Sequence, residues 1–180
     1  MKFTKSFILF LSMVLLAAPS YATTIISVTS WDSSGEGAYV FYKKDGSDTD
    51  RVFSSEISHS TSGEQRIYFS IDNNFSTDIN KYANTYPFNR AYSTNTLKPI
   101  SKTMVFNGQA VKMSGFSKIY GDTKNSYYSY TPETNKGHAY LINLFKQATS
   151  PIKVEFDGET IYLPVKGFTK KWNTTGGDAI

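Results

Sequence analysis

The stretch that most constrains this chain runs from Ile152 to Val165, where apolar and polar residues alternate on both sides of Asp157-Gly158. Asp-Gly accepts positive φ at both centres of a type I′ turn, and the twist of that turn matches two antiparallel strands. A two-residue loop there sets Val154 opposite Ile161 and Ile152 opposite Leu163. Four apolar side chains then share one face, while Lys153, Glu155, Thr160 and Tyr162 share the other. A slip of one residue would undo this segregation, so the pattern specifies a hairpin together with its register.

Asn107-Gly108 offers the same turn chemistry and predicts a second hairpin over Lys102 to Met113, with Met104 opposite Val111. Further strands are expected at Thr24 to Thr29, Ala38 to Lys43 and Arg66 to Ile71, the last with Ile67, Phe69 and Ile71 on one side. A helix is expected from about Gly137 to Ala148, because Leu141, Leu144, Phe145 and Ala148 form one stripe and Thr149-Ser150-Pro151 ends it. Ser76 is a good N-cap for a shorter helix with Asp78 in its first turn and Ile79 and Tyr82 facing inward. Both turns are followed by a Gly-Phe pair, Gly115-Phe116 and Gly167-Phe168, which fits either a duplicated unit or a coincidence of turn chemistry.

Thirteen Tyr and thirteen Phe, set among abundant Ser, Thr and Asn, favour pleated surfaces over helices. The expected fold is mainly β: a single β-sandwich or partly closed barrel, with one α-helix in the C-terminal half and room for a second short one. The tyrosine-rich segments from Gly121 to Lys136 and from Tyr86 to Lys98 are expected to be surface loops, and Thr174 to Asp178 a mobile tail.

Residues 1–22 have the layout of a cleavable signal peptide: Lys2 and Lys5, an apolar run from Phe7 to Ala18, then Ser20 and Ala22 as small residues before a cut. The run is shorter than the roughly 20 residues that cross a bilayer. The expected product is one β-rich domain over residues 23–180, periplasmic or secreted, with no stable membrane insertion after cleavage. The chain has no cysteine, so it can hold neither a lipid anchor on cysteine nor a disulfide framework, which points to a bacterial envelope or secreted protein.

The formal charge of +4 includes both lysines of the leader; without it 17 basic residues face 15 acidic ones. Lys43-Lys44 sits beside Asp45, Asp48 and Asp50, so no clustered basic face suggests nucleic acid as a partner.

From Gly137 onward, an amphipathic helix, a two-strand hairpin and then Pro164-Val165-Lys166-Gly167-Phe168-Thr169 resemble the C-terminal part of small periplasmic proteins of the invasion-associated locus B type. The likeness spans about a quarter of the chain. It implies an envelope-associated, noncatalytic role on an exported β-rich domain. This chain lacks the cysteines that many of those proteins carry, and its N-terminal half shows no match.

Candidates for chemistry are few. His59 lies in the polar, turn-like stretch Glu56 to Ser60, and His138 follows Gly137 at the start of the predicted helix, where a polar residue needs no catalytic explanation. No Gly-x-Ser-x-Gly elbow holds a serine on a strained turn. The two histidines lack a paired helical spacing, and the aspartates at 45, 48 and 50 lack the glutamate of a calcium loop. The sequence therefore predicts no catalytic residue, no metal site and no cofactor.

What remains is tyrosine among small polar residues, a composition of recognition surfaces. Tyr86, Phe88 and Tyr92 form one such group and Tyr127, Tyr128 and Tyr130 another. The expected function is noncatalytic binding of another envelope or secreted protein through these residues, with a glycan or peptidoglycan-binding module as the alternative.

Overall fold

The computed structural model describes residues 23–34, 37–47, 50–60, 62–75, 92–94, 99–120 and 126–175. Among them the elements follow in the order β1 (Thr23–Thr29), α1 (Trp31–Ser34), β2 (Gly37–Lys44), β3 (Asp50–His59), β4 (Gln65–Phe75), β5 (Tyr92–Thr94), β6 (Ile100–Phe106), β7 (Gln109–Tyr120), β8 (Ser126–Pro132), α2 (Asn135–Gln147), β9 (Ile152–Phe156), β10 (Glu159–Leu163) and α3 (Phe168–Thr175). The leader, the Ser76 helix and residues 176–178 of the expected tail lie outside the described residues.

The Asp157-Gly158 turn closes as the alternation demands. Asp157 and Gly158 have φ of 48° and 75°, Val154 pairs with Ile161, and Ile152 pairs with Leu163. Asn107 and Gly108 repeat the geometry at φ 47° and 85°, with Met104 opposite Val111. The two hairpins lie side by side, since Phe106 pairs with Val154 and the Asn107 side chain accepts from the Lys153 N–H at 2.8 Å. Beyond the turns they part: Gly115 lies within β7, whereas Gly167 sits at φ 89° just before α3. Only the turns correspond, and the likeness does not extend to a repeated unit.

All strand pairs are antiparallel, in the sheet order β1-β2-β3-β4-β8-β7-β6-β9-β10, with the short β5 on β7. The last strand, β10, comes back against β1 and β2, so the sheet is a nearly closed barrel. No ladder bonds join β10 to β1 or β2 among the described residues; side chains bridge this seam. The expected strand near Thr24 is the free edge, and it leaves Ile25, Ile26 and Val28 exposed.

Alternation decides which residues fill the barrel. Ile67 and Phe69 of β4 are fully buried and Ile71 nearly so, and they meet Phe53, Met104, Phe106 and Val154 from other strands. Each such side chain contributes about 1.5 to 3 kcal/mol on leaving water.

Helices stopper one end. Thr134 caps α2, its hydroxyl accepting from the Gly137 N–H at 3.0 Å, and the predicted stripe buries Leu141 and Phe145. Phe145 meets Phe168 of α3 at 4.9 Å, and Trp31 of α1 stands edge-on to Phe168 at 5.1 Å. Gly167 lets α3 come this close, because a Cβ there would lie 2.6 Å from the Asp32 nitrogen. The Gln65 side chain, at the start of β4, donates to the Trp172 carbonyl at 2.7 Å and fixes the stopper on that end of the sheet.

Several expectations are corrected. The segment from Gly121 to Lys136 is not a surface loop where it is described: residues 126–132 form β8, inserted between β4 and β7, and Asn135 already belongs to α2. Its polarity suggests a loop, yet tyrosine and threonine are strong strand formers once neighbours cover one face. His59 is not in a turn but ends β3, opposite Gln65 and exposed. Strand β3 and helices α1 and α3 have no counterpart in the sequence-based expectation, and Thr174 and Thr175 end α3 instead of opening a tail. Of the Tyr86 to Lys98 segment, Tyr92–Thr94 forms β5 and the rest lies outside the described residues.

Candidate functional site

At the end opposite the helices, the inward positions change from apolar to charged. Along β2 the inward series Ala38, Val40, Tyr42 continues to Lys44, and along β3 the series Ile57, Ser55, Phe53 continues to Arg51, the cross-strand partner of Tyr42. On β10 the parity that buries Ile161 and Leu163 also turns Glu159 inward, opposite Phe156. On β6 the parity of Met104 brings Lys102 to the same end. With Tyr128, Tyr130, Ile71, Ile100 and Asp157, these residues line a cleft of about 440 Å³ at the mouth of the barrel.

Glu159 organises its floor. The side chain is 1% exposed, a costly place for a carboxylate unless its oxygens are occupied. Tyr42 donates its hydroxyl to Oε2 at 2.7 Å, Arg51 Nη1 donates to Oε1, and Lys44 Nζ stands 3.8 Å from Oε1. These contacts also tie β10 to β2 and β3 across the seam that has no ladder bonds. Burial, with the Glu159 charge added, pushes the Tyr42 hydroxyl far above its ordinary range, so it stays protonated and donating.

One wall is aromatic. Tyr128 and Tyr130 are two residues apart on β8, so they point the same way, and their rings lie nearly parallel with centroids 6.2 Å apart. Tyr130 lies over Gly115 of β7, where a Cβ would meet the ring itself and lie 2.6 Å from the Ser129 carbonyl oxygen. The glycine is thus the seat that lets Tyr130 lie flat. Burial pushes the Tyr130 hydroxyl up to about 12, with Asp157 and Tyr128 adding to it. Lys102 pairs with Asp157, and its ammonium hangs 5.4 Å from the Tyr130 centroid and 6.0 Å from that of Phe156.

The structure therefore brings together two of the tyrosines expected to bind. Tyr128 is half-buried at the cleft, and Tyr130 is only 4% exposed, a core residue with one edge on the cleft and not a loop side chain. Tyr127 immediately precedes Tyr128 in sequence and pairs with Lys118 and Asp72 on the neighbouring strands. Tyr92 belongs to β5, opposite Tyr120. Tyr86 and Phe88 lie outside the described residues.

The sequence-based expectation missed Lys44, Arg51, Lys102, Asp157 and Glu159. A signal for Glu159 was present, since the hairpin register that puts Ile161 and Leu163 inside puts Glu159 there as well. The histidines lie elsewhere. His59 is exposed, and His138 is in the first turn of α2 with Nδ1 3.8 Å from Glu64 and its ring 6.0 Å from Trp172. Among the described residues, no three His, Asp or Glu side chains gather as a metal-ligand group.

Compared with known proteins, the chain matches no family model, no curated protein and no solved structure at a significant level.

Proposed function

We propose that this chain is a noncatalytic saccharide-binding protein of the bacterial envelope or its surroundings, with the barrel mouth as its site. The observation that carries this reading is the Tyr128–Tyr130 wall beside a charged, concave floor. A sugar ring presents a flat C–H face that stacks on aromatic rings, and its hydroxyls need a few fixed polar partners nearby. A cleft of about 440 Å³ falls in the usual range for small-ligand sites. A protein partner is typically met on a broader patch of about 800 Å² per side, so the concave shape favours the glycan alternative over a protein partner. The signal-like segment 1–22 supports export, and the likeness of the Gly137 to Thr169 region to invasion-associated locus B type proteins supports a noncatalytic role.

Equilibrium binding to a panel of monosaccharides and short oligosaccharides tests the reading. Tyr128→Ala should weaken the best binder about tenfold, the loss of one stacking face, while the melting temperature stays close to that of the parent. Silence across the panel, with a protein captured from envelope extract, would return the reading to a protein partner.

A further inference from the structure

We infer that the saccharide taken by this mouth carries an anionic group, a carboxylate or a phosphate, and that Lys44, Arg51 and Lys102 are the residues that recognise it. The inference rests on the saccharide reading and asks what kind of sugar the floor accepts. Neutral sugars are commonly held by side-chain carboxylates, which accept from hydroxyl groups. The carboxylate on this floor is unavailable for that: Glu159 is 1% exposed and already receives Tyr42, Arg51 and Lys44. The second carboxylate, Asp157, is at the rim, 62% exposed and paired with Lys102.

The cations are differently placed. Lys44 and Arg51 each keep 24% of their side chains exposed and Lys102 keeps 16%, and all three line the cleft. Among the described residues that line the cleft are three cations and two carboxylates, and both carboxylates are already paired with these cations. The ammonium of Lys102 hangs over the ring of Tyr130, so a ligand stacked on the neighbouring Tyr128 would bring a ring substituent toward that charge. Ring and acid group must belong to one molecule to use both features.

Titration calorimetry on the purified protein with glucuronate, a glucose phosphate, glucose and inorganic phosphate tests this. At least one of the two acidic sugars should bind about tenfold or more tightly than glucose, the value of one charge-assisted hydrogen bond. Which of them binds separates a carboxylate from a phosphate. The preference should fade as salt shortens the screening length from about 30 Å to about 3 Å. Lys44→Gln and Lys102→Gln should each shrink the ratio of acidic-sugar to glucose affinity toward one, and an unchanged ratio in both folded variants would overturn the assignment of these residues; if either fails to fold, the salt titration of the parent decides. Glucose binding as tightly as both acidic sugars would overturn the inference and leave the saccharide reading intact. Inorganic phosphate binding as tightly as the sugar phosphate would overturn the need for a ring. Binding of none of the sugars at any salt concentration would remove both readings.

Discussion

At the scale of single residues, the least comfortable side chain lies far from the mouth. His138 is half-buried, its Nε2 is buried without a partner, and Arg66 stands near while bonding Glu64 at 2.8 Å. Burial and then the Arg66 charge hold its pKa below the ordinary 6.5, against a smaller opposing pull from Glu64. The folded state therefore prefers the neutral imidazole, while the unfolded chain takes up a proton near 6.5. It follows that the unfolded state binds more protons in that window, and stability is complete above it and falls as the pH drops through it. The expected outcome is a urea midpoint that drops between about pH 7.5 and about pH 5.5, with a smaller drop in His138→Gln. Equal drops in the two proteins would mean that His138 is indifferent to its surroundings.

At the scale of elements, the hairpins and α2 were legible because a turn dipeptide or a helical stripe fixes them within about a dozen residues. Strand β8 was not, because Ser126 to Pro132 looks like a solvated loop until β4 and β7 flank it. Strand β3 was hidden for a related reason, since Ser54 and Ser55 are buried there beside Val52 and Phe53 and blur the alternation. The same holds for the site. The tyrosine cluster showed in composition, but the charged floor is assembled from β2, β3, β6 and β10 and exists only once the barrel sets their parity. Placing Tyr130 in a central strand also changes what its removal should do. Tyr130→Ala should cost about 3 to 5 kcal/mol, as large aromatic truncations in cores do, while Tyr128→Ala should cost clearly less. Chemical denaturation of both variants checks this, and equal small losses would put β8 back on the surface.

At the scale of the whole molecule, the barrel is held shut by contacts between the two ends of the chain. Tyr42 reaches Glu159, Gln65 reaches Trp172, and Trp31 packs on Phe168. A chain ending at Ser150 would lack β9, β10 and α3, leaving Arg51 without its carboxylate and Trp31 without its cover. It should show no cooperative urea transition; a sharp transition near the full-length midpoint would mean that the N-terminal strands stand alone. The side-chain seam also has a consequence in time. Contacts this distant along the chain form late and slowly, because most of the polymer must be brought together before they repay the ordering. Until its final hairpin is made, the nascent polypeptide has nothing to fasten on. A chain on the proposed route out of the cytoplasm would thus remain threadable for as long as it needs to pass, and would fasten only after its last strand had crossed.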